Sequence, residues 1–299
     1  MSVRVASFLC LFVIALTPLA AAAQPAQVEA RAARIGDRTA KVVTRWEADG
    51  TGSGRLLLHG SQPTNLYRGG GGAATLATGH GAWLVAYEVD AQRDPFRARL
   101  VRRRGERLTV GDEVTFARPG NRRDLPFAVV ATSTPDGFTV FFQEVQEDDP
   151  SAAHTYLAKL DREGQPVGQI AEVAIPWSLA DAIWNGAGYH LALIYPGSMN
   201  GMRLSMVSTT PQGQPQQHPD WASAAGLVTD VHLVKSGARI LAFYRGGGGG
   251  RIFESDVTQV RSWGSEPPQA TRHGEIREGQ VIVIRRDGDR VRAAAVAVR

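Results

Sequence analysis

Trp83-Leu84-Val85-Ala86-Tyr87-Glu88 is an unbroken apolar run that ends on an aromatic ring and a carboxylate. The same shape recurs five times: Lys41-Val42-Val43-Thr44-Arg45-Trp46-Glu47, Thr139-Val140-Phe141-Phe142-Gln143-Glu144, Leu191-Ala192-Leu193-Ile194-Tyr195, Ile240-Leu241-Ala242-Phe243-Tyr244-Arg245 and Val281-Ile282-Val283-Ile284-Arg285-Arg286. Short runs rich in β-branched and aromatic residues, bounded by turn residues, read as strands. With Trp46, Tyr87, Gln143, Tyr195, Tyr244 and Arg285 taken as equivalent, the copies stand 41, 56, 52, 49 and 41 residues apart. Five are preceded by a glycine turn, at His80-Gly81, Asp136-Gly137, Ala187-Gly188, Ser236-Gly237 and Glu278-Gly279. Glycine reaches the positive φ that tight hairpins demand. Ahead of the turn lies another apolar stretch, such as 127–130 or 231–234. Behind the run, after a polar loop, comes a third strand at 96–102, 154–160, 202–207, 251–257 and 290–298, with a weaker fourth at 171–175.

Strand, turn, strand, loop, strand at this spacing is the pattern of propeller blades, whose period is about 40–50 residues. No segment holds helical periodicity over three turns. The chain therefore reads as all-β: one β-propeller over residues 24–299, with six blades expected. Five or seven blades, or a β-sandwich, are the alternatives. The last copy lacks a fourth strand, and residues 27–34 are expected to supply it, closing the ring and removing exposed edges.

Composition agrees with this reading. The 33 glycines in 299 residues exceed the usual fraction of roughly 7%, as many tight turns require. At 43% hydrophobic and 21% charged, the chain is neither disordered, nor collagen, nor coiled coil. Residues 1–23 carry a basic start, an apolar run over 5–19 and Ala21-Ala22-Ala23 before Gln24, the pattern of a cleavable signal peptide. A secreted or periplasmic protein is expected, without a lipid anchor, because Phe8-Leu9 before Cys10 is not a small-residue box. No later run reaches the roughly 18 apolar residues of a membrane span. Cys10 is the single cysteine and lies within the signal, so disulfides and Cys-ligated metal are excluded from the mature chain. Without Arg4 the balance is 32 basic against 29 acidic residues, and 30 of the chain's 33 basic residues are Arg.

The layout resembles secreted bacterial β-propellers across nearly all of the mature chain, in architecture and not in the motifs of one family. The sialidase Asp-box is not met, since Ser133-Thr134-Pro135-Asp136-Gly137-Phe138-Thr139 has the wrong spacing and turn. WD dipeptides and kelch double glycines are also missing. The resemblance implies a ligand face where the loops leading into the innermost strands meet the loops after the second strands.

Fourteen residues before each marker stand Ala32, Ala73, Val129, Asp181, Asp230 and Thr271. Asp181 and Asp230 on adjacent copies are the candidate acid–base pair, or the holders of a hard cation such as calcium; otherwise they bond backbone amides, as Asp does at turns. Asp124 can join them from a loop. His273, with Glu275, is the candidate for proton transfer. Arg68, Tyr87, Glu88, Glu144, Tyr195, Tyr244 and Arg245 are the candidate ligand-binding residues, since rings, carboxylates and guanidinium suit sugars or peptides. Tyr67-Arg68 and Tyr244-Arg245 each lead into a glycine run, at 69–72 and 246–250, read as a lid or a plain loop. His232 reads as a satisfied core group. No HExxH or GxSxG occurs, and no metal or cofactor site is expected beyond that cation. Arg97, Arg99, Arg102, Arg103, Arg104 and Arg107 form a basic outer strand, read as a solvated edge or a contact for anionic envelope polymer. Nucleic acid is disfavoured, because aromatic interleaving is absent. The expected function is an exported, monomeric propeller that binds a carbohydrate, peptide or envelope partner; the alternative is a glycan hydrolase or lyase.

Overall fold

The computed structural model describes residues 28–35, 38–46, 52–58, 64–70, 74–89, 95–104, 107–117, 124–146, 153–175, 178–196, 202–216, 220–221, 228–246, 250–259, 270–277, 280–287 and 290–297. Every element in them is a β-strand. Sheet I holds β1 (Val28–Ile35), β2 (Arg38–Trp46), β3 (Gly52–Leu58) and β4 (Thr64–Gly70). Sheet II holds β5 (Ala74–Gly79), β6 (Ala82–Glu88), β7 (Phe96–Arg104) and β8 (Arg107–Thr115). Sheet III holds β9 (Leu125–Thr134), β10 (Gly137–Val145), β11 (Ala153–Asp161) and β12 (Pro166–Val173). Sheet IV holds β13 (Ser178–Trp184), β14 (Tyr189–Pro196), β15 (Met202–Thr209) and β16 (Asp220–Trp221). Sheet V holds β17 (Thr229–Ser236), β18 (Arg239–Gly246), β19 (Arg251–Asp256) and β20 (Thr271–Glu275). Sheet VI is the hairpin of β21 (Gln280–Asp287) and β22 (Arg290–Ala297).

Each sheet is a meander in chain order, and its first strand is the innermost. β5 lies against β9, β9 against β13 and β13 against β17, while β1 touches both β5 and β21. The arrangement is a β-propeller. Tight turns set the inner hairpins: His80 and Gly81 both have positive φ, 52° and 70°, joining β5 to β6 through two residues. Such a pair of left-handed residues matches the strand twist.

The second strands β6, β10, β14 and β18 are buried on both faces, which is why they read as continuous apolar runs and not alternations. In β10, Phe138, Val140 and Phe142 face blade II, where they meet Leu84, Phe96 and Leu100. Phe141 faces blade IV and packs edge-on to Tyr189 at 5.1 Å. Similar cores join blade IV to V through Met206, Val231 and Tyr244, and blade V to sheet VI through Phe243, Ile252 and Ile282.

Two expectations are corrected. Residues 28–35 pair with β2 and form the innermost strand of sheet I, not the fourth strand of the last copy. Thr271 and His273 lie on β20, the outermost strand of blade V, paired to β19. The inner strand of sheet VI begins later, at Gln280. The constant offset from the marker fails there because the connection from Asp256 to Thr271 is long, so an outer strand falls where an inner one was expected.

Candidate functional site

Three consecutive inner strands break their ladder near the end at which they begin. In β9 the register slips between Gln143 and Glu144, leaving Phe127 as the extra residue. In β13 Ala180 is extra, between Leu179 and Asp181. In β17 Asp230 and Val231 together oppose Tyr244. Bulges re-aim side chains and collect at barrel rims and binding sites. Here they turn Phe127 into solvent, 49% exposed, beside Leu125 at 50%. They also put Asp230 into the left-handed region at φ 51°.

An inner strand pairs along one edge only, and the N–H groups of its other edge must find acceptors. Side chains of the preceding blade supply them. The Leu179 N–H donates to Gln143 Oε1 at 3.0 Å, and Gln143 Nε2 donates to Thr155 Oγ1 at 2.9 Å. The Leu233 N–H donates to Asp181 Oδ2 at 2.6 Å, while Asp181 Oδ1 accepts from the Ala182 N–H at 2.9 Å. The Trp184 N–H donates to Thr132 Oγ1 at 3.2 Å. Asp181 is thus an anchor between blades IV and V, with both oxygens accepting backbone protons.

Below Asp181 the channel opens into a cavity of about 660 Å³, reaching down to Pro135 and Gly237 in the hairpin turns. Its polar lining is Asp181, His232, Lys235 and the hydroxyls of Thr75, Thr78, Thr132, Ser133 and Thr134; Ala131, Ile183, Trp184, Leu233 and Ile284 add apolar wall. Thr78 Oγ1 is buried and makes no hydrogen bond within the chain. Hydroxyls, one carboxylate and an indole converging on a cavity of this size are what a small polyhydroxylated ligand needs.

Asp230 and Arg245 meet at the opposite end, where β17 begins and β18 finishes, with Nε 3.6 Å from Oδ2. Glu88 is half-buried at the end of β6. Glu144 is 1% exposed at the end of β10, and Asp124, at 7%, lies just before β9. Both stand at the same end of the blade III hairpin, where Glu144 pairs with Pro126, two residues after Asp124. One Asp124 oxygen, Oδ2, is buried without a hydrogen bond.

Other expected ligand residues lie elsewhere. Tyr87 is fully buried; its hydroxyl donates to Glu113 Oε2 at 2.5 Å and accepts from Arg99 Nε at 3.1 Å. Burial and the Glu113 carboxylate push its pKa well above the ordinary range. Tyr244 is likewise buried, stacked on Phe253 and bonded to Ser255 at 3.2 Å, and burial raises its pKa. Neither ring offers a face to a ligand, because the terminal ring of the run points sideways into the core between blades. Arg68 lies on β4 and Tyr195 on β14, both near the channel-mouth end, and their side chains fall outside the described residues. His273 Nε2 is 2.5 Å from Glu254 Oε2 on the outer half of blade V, with its ring against Phe243, away from the channel. A cation at Asp181 and Asp230 is disfavoured by the geometry: two amides hold the first carboxylate and a guanidinium faces the second. Among the described residues no three His, Cys, Asp or Glu side chains converge to hold a metal.

Three of the six arginines of the basic outer strand are engaged among the described residues. Arg97 and Arg99 flank Glu113, with Arg97 also bonded to Thr115. Arg102 Nη2 donates to the Arg162 carbonyl at 2.6 Å, tying blade II to a blade III turn. The second glycine run ends in a structural residue: Gly250 has φ 66°, and a Cβ there would lie 2.3 Å from the Ile276 carbonyl oxygen. Residues 71–73 and 247–249 lie outside the described residues. The hydroxyl lining and the bulges were missed in the sequence; the only signal was the Thr75/Ala77 and Thr132/Thr134 alternation on inner strands.

No family model and no characterised protein sequence matches the chain. Solved structures do resemble it. The Penicillium chrysogenum α-L-arabinanase complexed with arabinobiose aligns at a TM-score of 0.55 and 11% identity, over 90% of this chain and 88% of that one. The arabinofuranosidase Arb93A of Fusarium graminearum gives 0.48 and 12%, over 80% and 81%. The GH43 protein BlXynB of Bacillus licheniformis gives 0.46 and 12%, over 65% of this chain, which spans 40% of that protein's length. At these identities the likeness to the arabinanase establishes a shared propeller fold. Among the described residues no helix is long and apolar enough to cross a membrane.

Proposed function

We propose that the protein is a carbohydrate-active propeller that hydrolyses a neutral glycan at the mouth of its channel. The observation that carries this reading is that two carboxyls, Asp124 and Glu144, are buried at the same end of blade III, Glu144 pairing with Pro126 two residues after Asp124. Acidic side chains are rarely buried without a task, and glycosidases work with two carboxyls about 5–10 Å apart. The hydroxyl-lined cavity lies further along the channel, towards the hairpin turns, and offers a second place for sugar hydroxyls. The arabinanase that shares the fold brings a pentose polymer to the head of the substrates to be tried. Six sheets in one ring, a signal over residues 1–23 and action outside the cytoplasm complete the proposal.

A second reading, a binding module without turnover, is favoured by the occupation of Asp181 by two backbone amides and of Asp230 by Arg245. Reducing-end release from arabinan, xylan and their oligosaccharides separates the two. The hydrolase releases sugar, and Asp124→Asn or Glu144→Gln lowers the rate about 100- to 10,000-fold, as loss of a catalytic acid or base does, while circular dichroism stays unchanged. Binding without release, unaffected by either substitution, would establish the binding module instead.

A further inference from the structure

Asp230 and Arg245 form a pair that is close but unconsummated. Their 3.6 Å separation is too long for a hydrogen bond. Among the described residues neither side chain makes a hydrogen bond with any other group, and Arg245 Nε is buried without a hydrogen bond. Both remain partly exposed at the end where β17 begins and β18 finishes, with side chains 49% and 32% accessible. Left as it stands, such a pair contributes little to folding. Yet Asp230 reaches it through a left-handed backbone at φ 51°, on a bulge that interrupts the inner strand. Positive φ is uncommon for a residue with a side chain, and strain retained at a cleft calls for a use.

The chemistry of the pair selects its ligand. Arg offers only donors and the carboxylate only acceptors. One hydroxyl placed between them can accept from the guanidinium and donate to the carboxylate, whereas two hydroxyls on adjacent carbons give each group a bond of its own, one accepting from the guanidinium and its neighbour donating to the carboxylate. A carboxylated sugar bound at Arg245 brings its charge against Asp230, and an amino sugar bound at Asp230 brings its charge against Arg245. We propose that Asp230 and Arg245 form a clamp for the vicinal diol of a neutral sugar ring, and so fix the substrate class as neutral glycans with free adjacent hydroxyls. The inference rests on the carbohydrate reading above but not on hydrolysis.

The test uses the full mature chain in affinity electrophoresis through arabinan, xylan and galactan, each native or oxidised with periodate, which cleaves vicinal diols. Polygalacturonate serves as the anionic counterpart. Retardation of the wild type by at least one native neutral polymer, lost on periodate treatment, is expected. Asp230→Gly and Arg245→Lys are expected to weaken that retardation at least 10-fold. Glycine adopts φ 51° freely, so Asp230→Gly should melt no lower than the wild type, which separates lost binding from lost folding. Retardation unchanged in both variants, or surviving periodate, overturns the clamp and leaves the carbohydrate reading in place. Preference for polygalacturonate overturns the neutral class. A wild type retarded by none of the polymers overturns the clamp and the carbohydrate reading together.

Discussion

Asp181 shows how one side chain can mimic chemistry while serving the fold. Its place on an inner strand, facing a channel, marks it as a candidate acid. Its hydrogen bonds make it the acceptor for the Leu233 N–H of the next blade at 2.6 Å. Removing it strands a partly buried donor, which costs about 1–3 kcal/mol. Asp181→Ala should therefore lower the denaturation free energy by about that amount, and Asp181→Asn by less, because the amide oxygen still accepts one bond. Chemical denaturation of the two variants checks this. Equal stability of Asp181→Ala and wild type would remove the anchor role. Asp230 is the opposite case: its carboxylate meets a cation without a hydrogen bond, and its backbone is held in a conformation that glycine prefers.

At the scale of the strand, burial on both faces decides what can be read in advance. β10 is buried from Gly137 to Glu144, so its six-residue apolar signature stands out, as do its five equivalents. Phe142 illustrates the load such a strand carries. It touches Phe96, Phe116 and Tyr156 at ring separations of 4.8, 5.8 and 5.3 Å, within the core shared by blades II and III. Phe142→Ala should destabilise by about 3–5 kcal/mol, measured by equilibrium unfolding, with a smaller loss for Phe142→Leu. Edge strands carry no such signature: β20, Thr271–Glu275, is exposed at four of five positions, which is why it was mistaken for the next inner strand. Bulges are equally silent in sequence, since the extra residues Phe127, Ala180 and Asp230 are ordinary in composition. The site depends on those bulges, so its period was legible while the aim of its side chains was not.

For the molecule as a whole, the same rings that fail as ligand contacts govern the response to alkali. Tyr87, Tyr189 and Tyr244 each sit in a different core, on blades II, IV and V, and all three are at most 1% exposed. Burial is the largest cause that raises each pKa above its ordinary value of 10.0. The folded state therefore holds three phenolic protons that the unfolded chain releases above pH 10. A raised folded pKa gives stability that is complete below the unfolded value and is lost as pH climbs towards the folded one. Each proton is worth about 1.4 kcal/mol per pH unit in that window, so three together remove up to about 4 kcal/mol per unit. The fold should therefore lose stability as pH rises above 10, with little change between pH 6 and 9 from this source. Circular dichroism and phenolate absorbance followed through the same titration check the coupling, and the two transitions should coincide. Tyr189→Phe, which keeps the ring against Phe141 and gives up only the bond to Thr139, should start less stable yet lose stability with a slope about one third smaller. A phenolate signal complete before any loss of sheet would show instead that the cores admit hydroxide, and that the interfaces between blades open one at a time.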